Sequence, residues 1–575
     1  MKKLLKYITE YRKECILGPL FKLLEACFDL TVPLGTSWLI DRGISQNDVP
    51  YIWKMGGLLL ILAAIGLTCS ITAQYFAAKA SVGTATGLRR QLLEKIQGLS
   101  FTELDKIGTS TLITRMTSDV NQVQSGANMF LRLFLRSPFI VFGAMIMAFT
   151  INTQIALIFV IAIIVMFVIV FGIMFITAPM YRNVQKNLDD VTGATREDLG
   201  GVRVIRAFGK ERQEVESFEE KSGALLSSQL FVGKISALLN PVTYVMINLA
   251  IIAVLRVGGE QVYKGILTQG QVLALYNYMS QILVELIKMA NLILSMTKAA
   301  ASAKRVAAIL ALESSLDVPQ ENPEEPEAVP AVEFDGVTFT YPTGGAPALS
   351  DISFTLEHGK TLGIIGGTGS GKSTLIGLIP RFYDVQEGCV KVDGCDVRQY
   401  PLETLRRKIG LVPQKALLFK GTIRENLLWG DEGAADDAIY DALKAAQAQE
   451  VVDGKPEGLD YEVETGGRNF SGGQRQRLTI ARALVRKPEV LILDDSASAL
   501  DFATDAALRH ALRELPWKPA VVIISQRTAS IRFADEILVL DDGKLAGRGT
   551  HEELLQTCDV YREIYESQFK KEDAR

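Results

Sequence analysis

The chain has 575 residues, 48% of them hydrophobic, and a mean hydropathy of +0.20, which argues against an ordinary soluble protein. A net charge of −4 and a pI near 5.8 argue against a dominant nucleic-acid surface. The six cysteines (Cys15, Cys27, Cys69, Cys389, Cys395 and Cys558) show no metal-ligand spacing and are expected to be reduced thiols.

In chain order, the Lys-rich first turn leads to no short apolar stretch with a small-residue cleavage site, so no cleavable leader is expected. Apolar stretches of spanning length lie near 16–40, 56–78, 132–151, 154–178, 235–257 and 271–296, predicting six membrane spans within residues 1–312. Asn152-Thr153-Gln154 reads as a tight turn between the third and fourth. Basic residues cluster before the first span (Lys2, Lys3, Lys6, Arg12, Lys13), after the second (Arg89, Arg90, Lys95) and after the fourth (Arg182, Lys186, Arg196). The positive-inside rule then places both termini in the cytosol. The basic connections 79–131 and 179–234 keep apolar residues at helical spacing, so the membrane helices are expected to continue into the cytosol. Each is broken by a short segment, Leu104–Gly108 and Ala207–Glu211, for which the following domain is the expected contact.

Glu285 and Lys288 lie at i, i+3 inside the sixth span, on one helix face. Ionisable groups at that depth tend to face a cavity or a partner, so they are candidates for the transport path; the other reading is a structural ion pair. Glu25 and Asp29 form a like-charged i, i+4 pair in the first span. Attraction of a cationic substrate, a base on a partner chain and a place near an interface all stay open for them.

Residues 313–330 hold Glu313, Pro319, Pro323, Glu324, Glu325, Pro326, Glu327 and Pro330, an acidic, Pro-rich linker. From 331 to 575 the pattern becomes soluble α/β, with apolar strands around 361–366, 409–413, 490–494 and 520–525. Gly366-Gly367-Thr368-Gly369-Ser370-Gly371-Lys372-Ser373-Thr374 is a full phosphate-binding loop between a strand and a helix. Its glycines admit phosphates to the backbone N–H groups, Lys372 reaches the β/γ-phosphates and Ser373 ligates Mg²⁺. The strand Val490–Asp494 ends in a carboxylate followed by Asp495.

Asn469-Phe470-Ser471-Gly472-Gly473-Gln474 resembles the LSGGQ signature of ATP-binding-cassette (ABC) proteins, with Phe for Leu. Further motifs stand in family order. Tyr341 resembles the adenine-stacking aromatic, Gln414 the Q-loop residue and Ser498-Ala499-Leu500-Asp501 the D-loop. The resemblance, to exporter-type half-transporters, covers nearly the whole chain. It implies a six-helix, all-α transmembrane domain of the type I exporter fold, followed by an α/β P-loop nucleotide-binding domain with a helical subdomain. It also implies ATP and Mg²⁺, the metal held by Ser373 and Gln414 and by Asp494 through water. A bacterial inner or plasma membrane is the implied location.

In the family, the signature loop faces the γ-phosphate from the side opposite the phosphate loop, at a helix N-terminus. One domain cannot fold its signature onto its own loop, so two domains pair head to tail. Ser471, Gly472, Gly473 and Gln474 would therefore act on a partner's ATP.

Asp495 stands where hydrolytic relatives place Glu, and Gln526, in Ile524-Ser525-Gln526-Arg527, where they place His. Asp is one methylene shorter, about 1.5 Å of reach, and a misplacement of about 1 Å costs around 10²-fold in rate. Gln526 can hydrogen-bond but carries no positive charge. None of His358, His510 and His551 sits at the switch position. With the binding positions intact, this pattern resembles the degenerate-site member of a heterodimeric multidrug exporter. Such a chain binds ATP, hydrolyses it slowly and completes the active site of a second, catalytically complete half-transporter. The pair would move hydrophobic or amphiphilic compounds, drugs or lipids, out of the cytosol. Two readings stand beside it: a homodimeric exporter in which Asp495 suffices, and an ATP-binding regulatory membrane subunit without driven transport.

Overall fold

A computed structural model describes residues 10–569 apart from Glu327 and Thr343. Lys2, Lys3 and Lys6 of the first basic cluster, and Glu327 of the linker, lie outside the described residues. The chain divides into two compact units, Met1–Gln97 with Ser110–Leu312, and Gly98–Thr109 with Glu313–Arg575.

The described residues of the first unit form helices joined by short turns. Among the described residues, five helical segments are long and apolar enough to cross a membrane: Val49–Gln97, Thr109–Ile151, Thr153–Ala207, Glu211–Tyr263 and Gln269–Ala311. Arg12–Trp38 has the length, but Lys22, Glu25 and Asp29 place three charges along its middle, so composition does not single it out as it does the others. Asn152 separates two of the long helices: its side chain accepts from Ile155 N–H at 3.0 Å and caps the helix that follows.

Pro33 lies inside Arg12–Trp38 and has no N–H to offer Asp29, four residues earlier. The last long helix supplies the missing donor. Gln281 Nε2 donates to the Asp29 carbonyl at 3.2 Å, and Tyr278 Oη donates to the Leu30 carbonyl at 2.7 Å. In an apolar surround a freed carbonyl needs such a partner.

The charges of the first helix are also answered from within this chain. Arg136 reaches Glu285 (2.6 Å), Asp29 (2.9 Å) and Glu25 (3.8 Å). Glu285, only 3% exposed, also accepts from Ser137 Oγ at 2.7 Å and Lys288 Nζ at 2.8 Å. Lys22 bonds Glu25 at 2.5 Å and Ser70 at 3.1 Å. Three bases and three acids thus sum to zero across three helices. Glu285 and Lys288 do form an ion pair, but its main partner is Arg136, which the spacing of the two residues does not reveal.

In the second unit, six strands form one sheet in the order Lys544–Gly549, Glu536–Asp541, Thr361–Gly366, Ala520–Ile524, Val490–Asp494, Ile409–Val412. All pairs are parallel except the first. The central strands are buried almost throughout, as expected of a sheet covered on both faces. A second, antiparallel sheet orders Leu349–Leu356, Val332–Phe339, Glu387–Val392 and Cys395–Asp396. Two apolar cores result. One lies between the sheets, around Phe334, Phe354, Leu375, Ile492 and Val522. The other joins the parallel sheet to the helices within 423–485, around Leu427, Leu443, Leu478 and Leu484.

The short helix Phe101–Ile107 belongs to this second unit. Phe101 packs on Phe382 with ring centroids 4.6 Å apart, and Tyr383 Oη donates to Asp105 at 2.6 Å. The other predicted break is at Phe208, between helices Thr153–Ala207 and Glu211–Ala237, where the ring is 73% exposed.

Candidate functional site

In an open parallel sheet, ligands bind beyond the carboxyl ends of the strands where neighbouring connections diverge. Here register brings the functional residues to one such edge. Ile524 pairs with Ile364 and with Asp494, so Gly366, Asp494 and the Ser525-Gln526 turn leave the sheet side by side. Backbone bonds fix the exits: Ser525 N–H donates to the Ile364 carbonyl at 3.2 Å, and Asp495 N–H to the Ile524 carbonyl at 3.0 Å.

The phosphate loop wraps its own lysine. Lys372 Nζ donates to the carbonyls of Gly366 (2.9 Å) and Gly367 (2.6 Å) and to Ser370 Oγ (3.3 Å). Gly369 and Gly371 have φ of +85° and +95°, the left-handed region that glycine adopts without strain. A Cβ on Gly371 would also lie 2.7 Å from the Ala348 carbonyl. Burial lowers the Lys372 pKa, and the nearby Asp494 and Asp495 carboxylates oppose that shift. Burial raises Asp494, and the charge of Asp495 adds to it. A polyphosphate anion placed beside Lys372 favours its charged form.

Thr368, Ser373 and Thr374 complete the loop and the start of its helix, Lys372–Leu378. Thr374 Oγ1 lies 3.0 Å from Tyr341 Oη, so the structure brings the predicted adenine-side aromatic to the loop. Tyr383 stands edge-on to Tyr341 at 5.4 Å. That residue is missed by motif reading because it carries no spacing signal of its own. Gln414 Nε2 reaches Asp495 Oδ2 at 3.4 Å, so the residue expected to be the Q-loop amide and the carboxylate after the strand are neighbours. Asp495 has φ +44°, which directs the chain sharply away from the strand end.

Among the described residues, no group of three or more His, Cys, Asp or Glu is arranged to hold a metal ion. Mg²⁺ does not require one: with nucleotide it is held by one or two protein oxygens plus phosphates and waters. Ser373, Asp494 and Gln414 supply hard oxygen donors of that kind.

The signature segment has its own geometry. Ser471 and Gln474 form a reciprocal capping box at the start of Gly472–Val485, with Gln474 N–H on Ser471 Oγ at 3.3 Å and Ser471 N–H on Gln474 Oε1 at 3.0 Å. Phe470, in place of the family Leu, is buried and meets Tyr461 edge-on at 5.8 Å. Nothing lies within 4 Å of a Cβ built on Gly472, whereas one on Gly473 would meet the Ala499 carbonyl at 3.1 Å. No hydrogen bond among the described residues joins this turn to the phosphate loop. Asp501 caps the helix Phe502–Arg513 through Thr504 N–H and Oγ1, both at 2.9 Å, and those bonds hold its carboxyl below the usual range.

The ABC transporter transmembrane region family matches residues 15–286, and the ABC transporter family matches residues 349–498. The chain is 35% identical to the uncharacterized ABC transporter ATP-binding protein YfiB of Bacillus subtilis (strain 168), covering 100% of this chain and 99% of that protein. It is 30% identical to an ATP-dependent lipid A-core flippase of Vibrio cholerae, covering 99% of this chain and 97% of that one. Its fold matches a solved bacterial Atm1-family ABC exporter with ATP bound, at TM-score 0.79 and 22% identity, over 97% of this chain and 98% of that chain. With membrane helices and cassette in one polypeptide of the type I exporter fold, the chain belongs to the ABC transporter family.

Proposed function

We propose that this chain is the degenerate-site subunit of a heterodimeric ABC exporter for hydrophobic or amphiphilic compounds. The observation that carries the reading is the contrast at one sheet edge. The binding apparatus around Lys372, Ser373 and Asp494 is complete, while Asp495 is a methylene short and Gln526 replaces an ionisable ring. Lys372 and the loop N–H groups would bind the β/γ-phosphates, and Tyr341 would stack on the base. Bound Mg²⁺, held by Ser373, Gln414 and (through water) Asp494, would neutralise phosphate charge. Asp495 would orient an attacking water poorly. Gln526 would hydrogen-bond the γ-phosphate without adding positive charge.

The capped turn Ser471–Gln474 would complete the partner's site, where most hydrolysis would occur. Two further features support a second chain. The N-terminal glycine of the signature helix has an open face, and Phe208 lies uncovered at a helix break. Arg12–Trp38 would serve as the first of six spans, its Glu25 and Asp29 paired with Arg136 and its Lys22 with Glu25. Both termini and the cassette would lie in the cytosol of a cell-membrane protein. The lipid A-core flippase among the relatives favours an amphiphilic substrate. ATP sandwiching would close the cassettes, and hydrolysis at the partner's site would reset them.

The test is purification of the tagged chain from its native membrane. A second half-transporter in equal amount, with Glu after its strand Asp and His at its switch, is the expected result. A homodimer would overturn the reading.

A further inference from the structure

The carboxyl-terminal helix Asp559–Phe569 brings Gln568 to the turn that carries Gln526. That turn joins the strand Ala520–Ile524 to the short helix Thr528–Ile531. Arg527 occupies the cap position, and its side chain makes no cap bond. A guanidinium has only donors, so it cannot accept from the first helical N–H. The acceptor arrives from 40 residues away: Gln568 Oε1 accepts from Thr528 N–H and from Thr528 Oγ1, each at 3.0 Å. The same amide donates through Nε2 to the Gln526 carbonyl at 2.7 Å.

One side chain thus ties the carbonyl before Arg527 to the N–H after it. Thr528 is fully buried, so both of its polar groups depend on protein partners. On the upstream side, Ser525 Oγ accepts from Arg527 N–H at 2.9 Å. The Gln526 side chain is exposed and leaves from a backbone clamped on both sides.

We propose that Gln568 is a positioning residue for the switch. It holds the backbone of 526–528 so that the Gln526 amide can reach the γ-phosphate, which makes the carboxyl-terminal helix part of the ATP site. The inference rests on the reading of Gln526 as the γ-phosphate contact.

The experiment uses the full chain in lipid nanodiscs and measures the affinities of MgATP and MgADP, whose ratio isolates the γ-phosphate. Five proteins are compared: wild type, Gln526→Ala, Gln568→Ala, the double variant and Gln568→Glu. Loss of one hydrogen bond to a charged group lowers the ATP-to-ADP ratio by about tenfold. Gln526→Ala and Gln568→Ala are each expected to show that loss, the double variant no more than either alone, and ADP affinity to stay within about twofold throughout. Gln568→Glu keeps an acceptor for Thr528 but cannot donate to the Gln526 carbonyl, and is expected to lower the ratio with ADP binding intact. It decides the matter if Gln568→Ala fails to fold. A normal ratio in both Gln568 variants, with the loss present in Gln526→Ala, overturns the inference alone. So do additive losses in the double variant. A normal ratio in Gln526→Ala overturns the switch reading, and the inference falls with it.

Discussion

Removing the Glu285 carboxylate alone strips Arg136 and Lys288 of a shared acceptor at 2.6 and 2.8 Å and Ser137 of its partner at 2.7 Å. Breaking a buried pair by deleting one member costs about 3–5 kcal/mol, because the other charge stays buried. Each kcal/mol moves a midpoint by about 2–4 °C in a large domain, so Glu285→Ala should lower the heat-inactivation midpoint by about 10 °C. Removing one charge of each sign is different. Arg136→Met with Glu285→Met keeps the Lys22–Glu25 pair, and leaves Asp29 and Lys288, whose side chains are 40% and 43% exposed. Replacing a buried pair by apolar groups is often neutral, so the double variant should fall within about 3 °C of wild type. The assay is size-exclusion chromatography of nanodisc-embedded protein after timed heating. A Glu285→Ala midpoint equal to wild type would refute the energetic reasoning. A double variant as damaged as the single one would refute the claim that the set is held by its neutrality.

Three further outcomes follow from the cassette. Gly366→Ala would drive a methyl into the Leu540 carbonyl and to 2.6 Å from Ser370 Oγ; overpacking of that kind should weaken ATP binding by roughly tenfold or more, measured by nucleotide titration, and unchanged affinity would show that the loop yields. If the proposed heterodimer is right, Asp495→Glu with Gln526→His gives the site the longer carboxylate and the ring, and phosphate release there should rise by about 10²-fold in the assembled transporter with the partner's phosphate-loop lysine replaced; no rise would refute the proposal that these two residues slow the site. His551 lies 2.7 Å from Tyr561 Oη, and burial lowers it below its usual 6.5. Folding therefore favours the neutral ring, whose contribution is full above pH 6.5 and is lost as pH falls from there toward the folded-state value. His551→Gln should flatten the acid-side loss of thermal stability, and parallel curves would place that sensitivity elsewhere.

The parts of the site that were legible in the sequence are those where a backbone demand fixes residue type at short range. Gly369 and Gly371 are needed at positive φ, and Ser471 and Gln474 satisfy each other across one helical turn. The parallel strands were legible because burial on both faces leaves continuous apolar runs. Contacts across long separations left no such mark. Arg136 meets Asp29 and Glu285 across 107 and 149 residues, so i, i+3 and i, i+4 spacing showed Glu285 only its neighbour Lys288. Gln568 reaches Gln526 across 42 residues, and Tyr383 reaches Asp105 across 278. The antiparallel strands Val332–Phe339, Leu349–Leu356 and Glu387–Val392 bury mainly one face, so they leave no continuous apolar run, and register shifts interrupt their pairing.

The most direct test of the central claim is ATP turnover by this chain purified alone in lipid, with nucleotide binding measured on the same sample. Tight ATP binding with negligible phosphate release is the expected result. Robust release would mean that Asp495 and Gln526 are competent as they stand, and a homodimeric exporter would replace the degenerate-site reading.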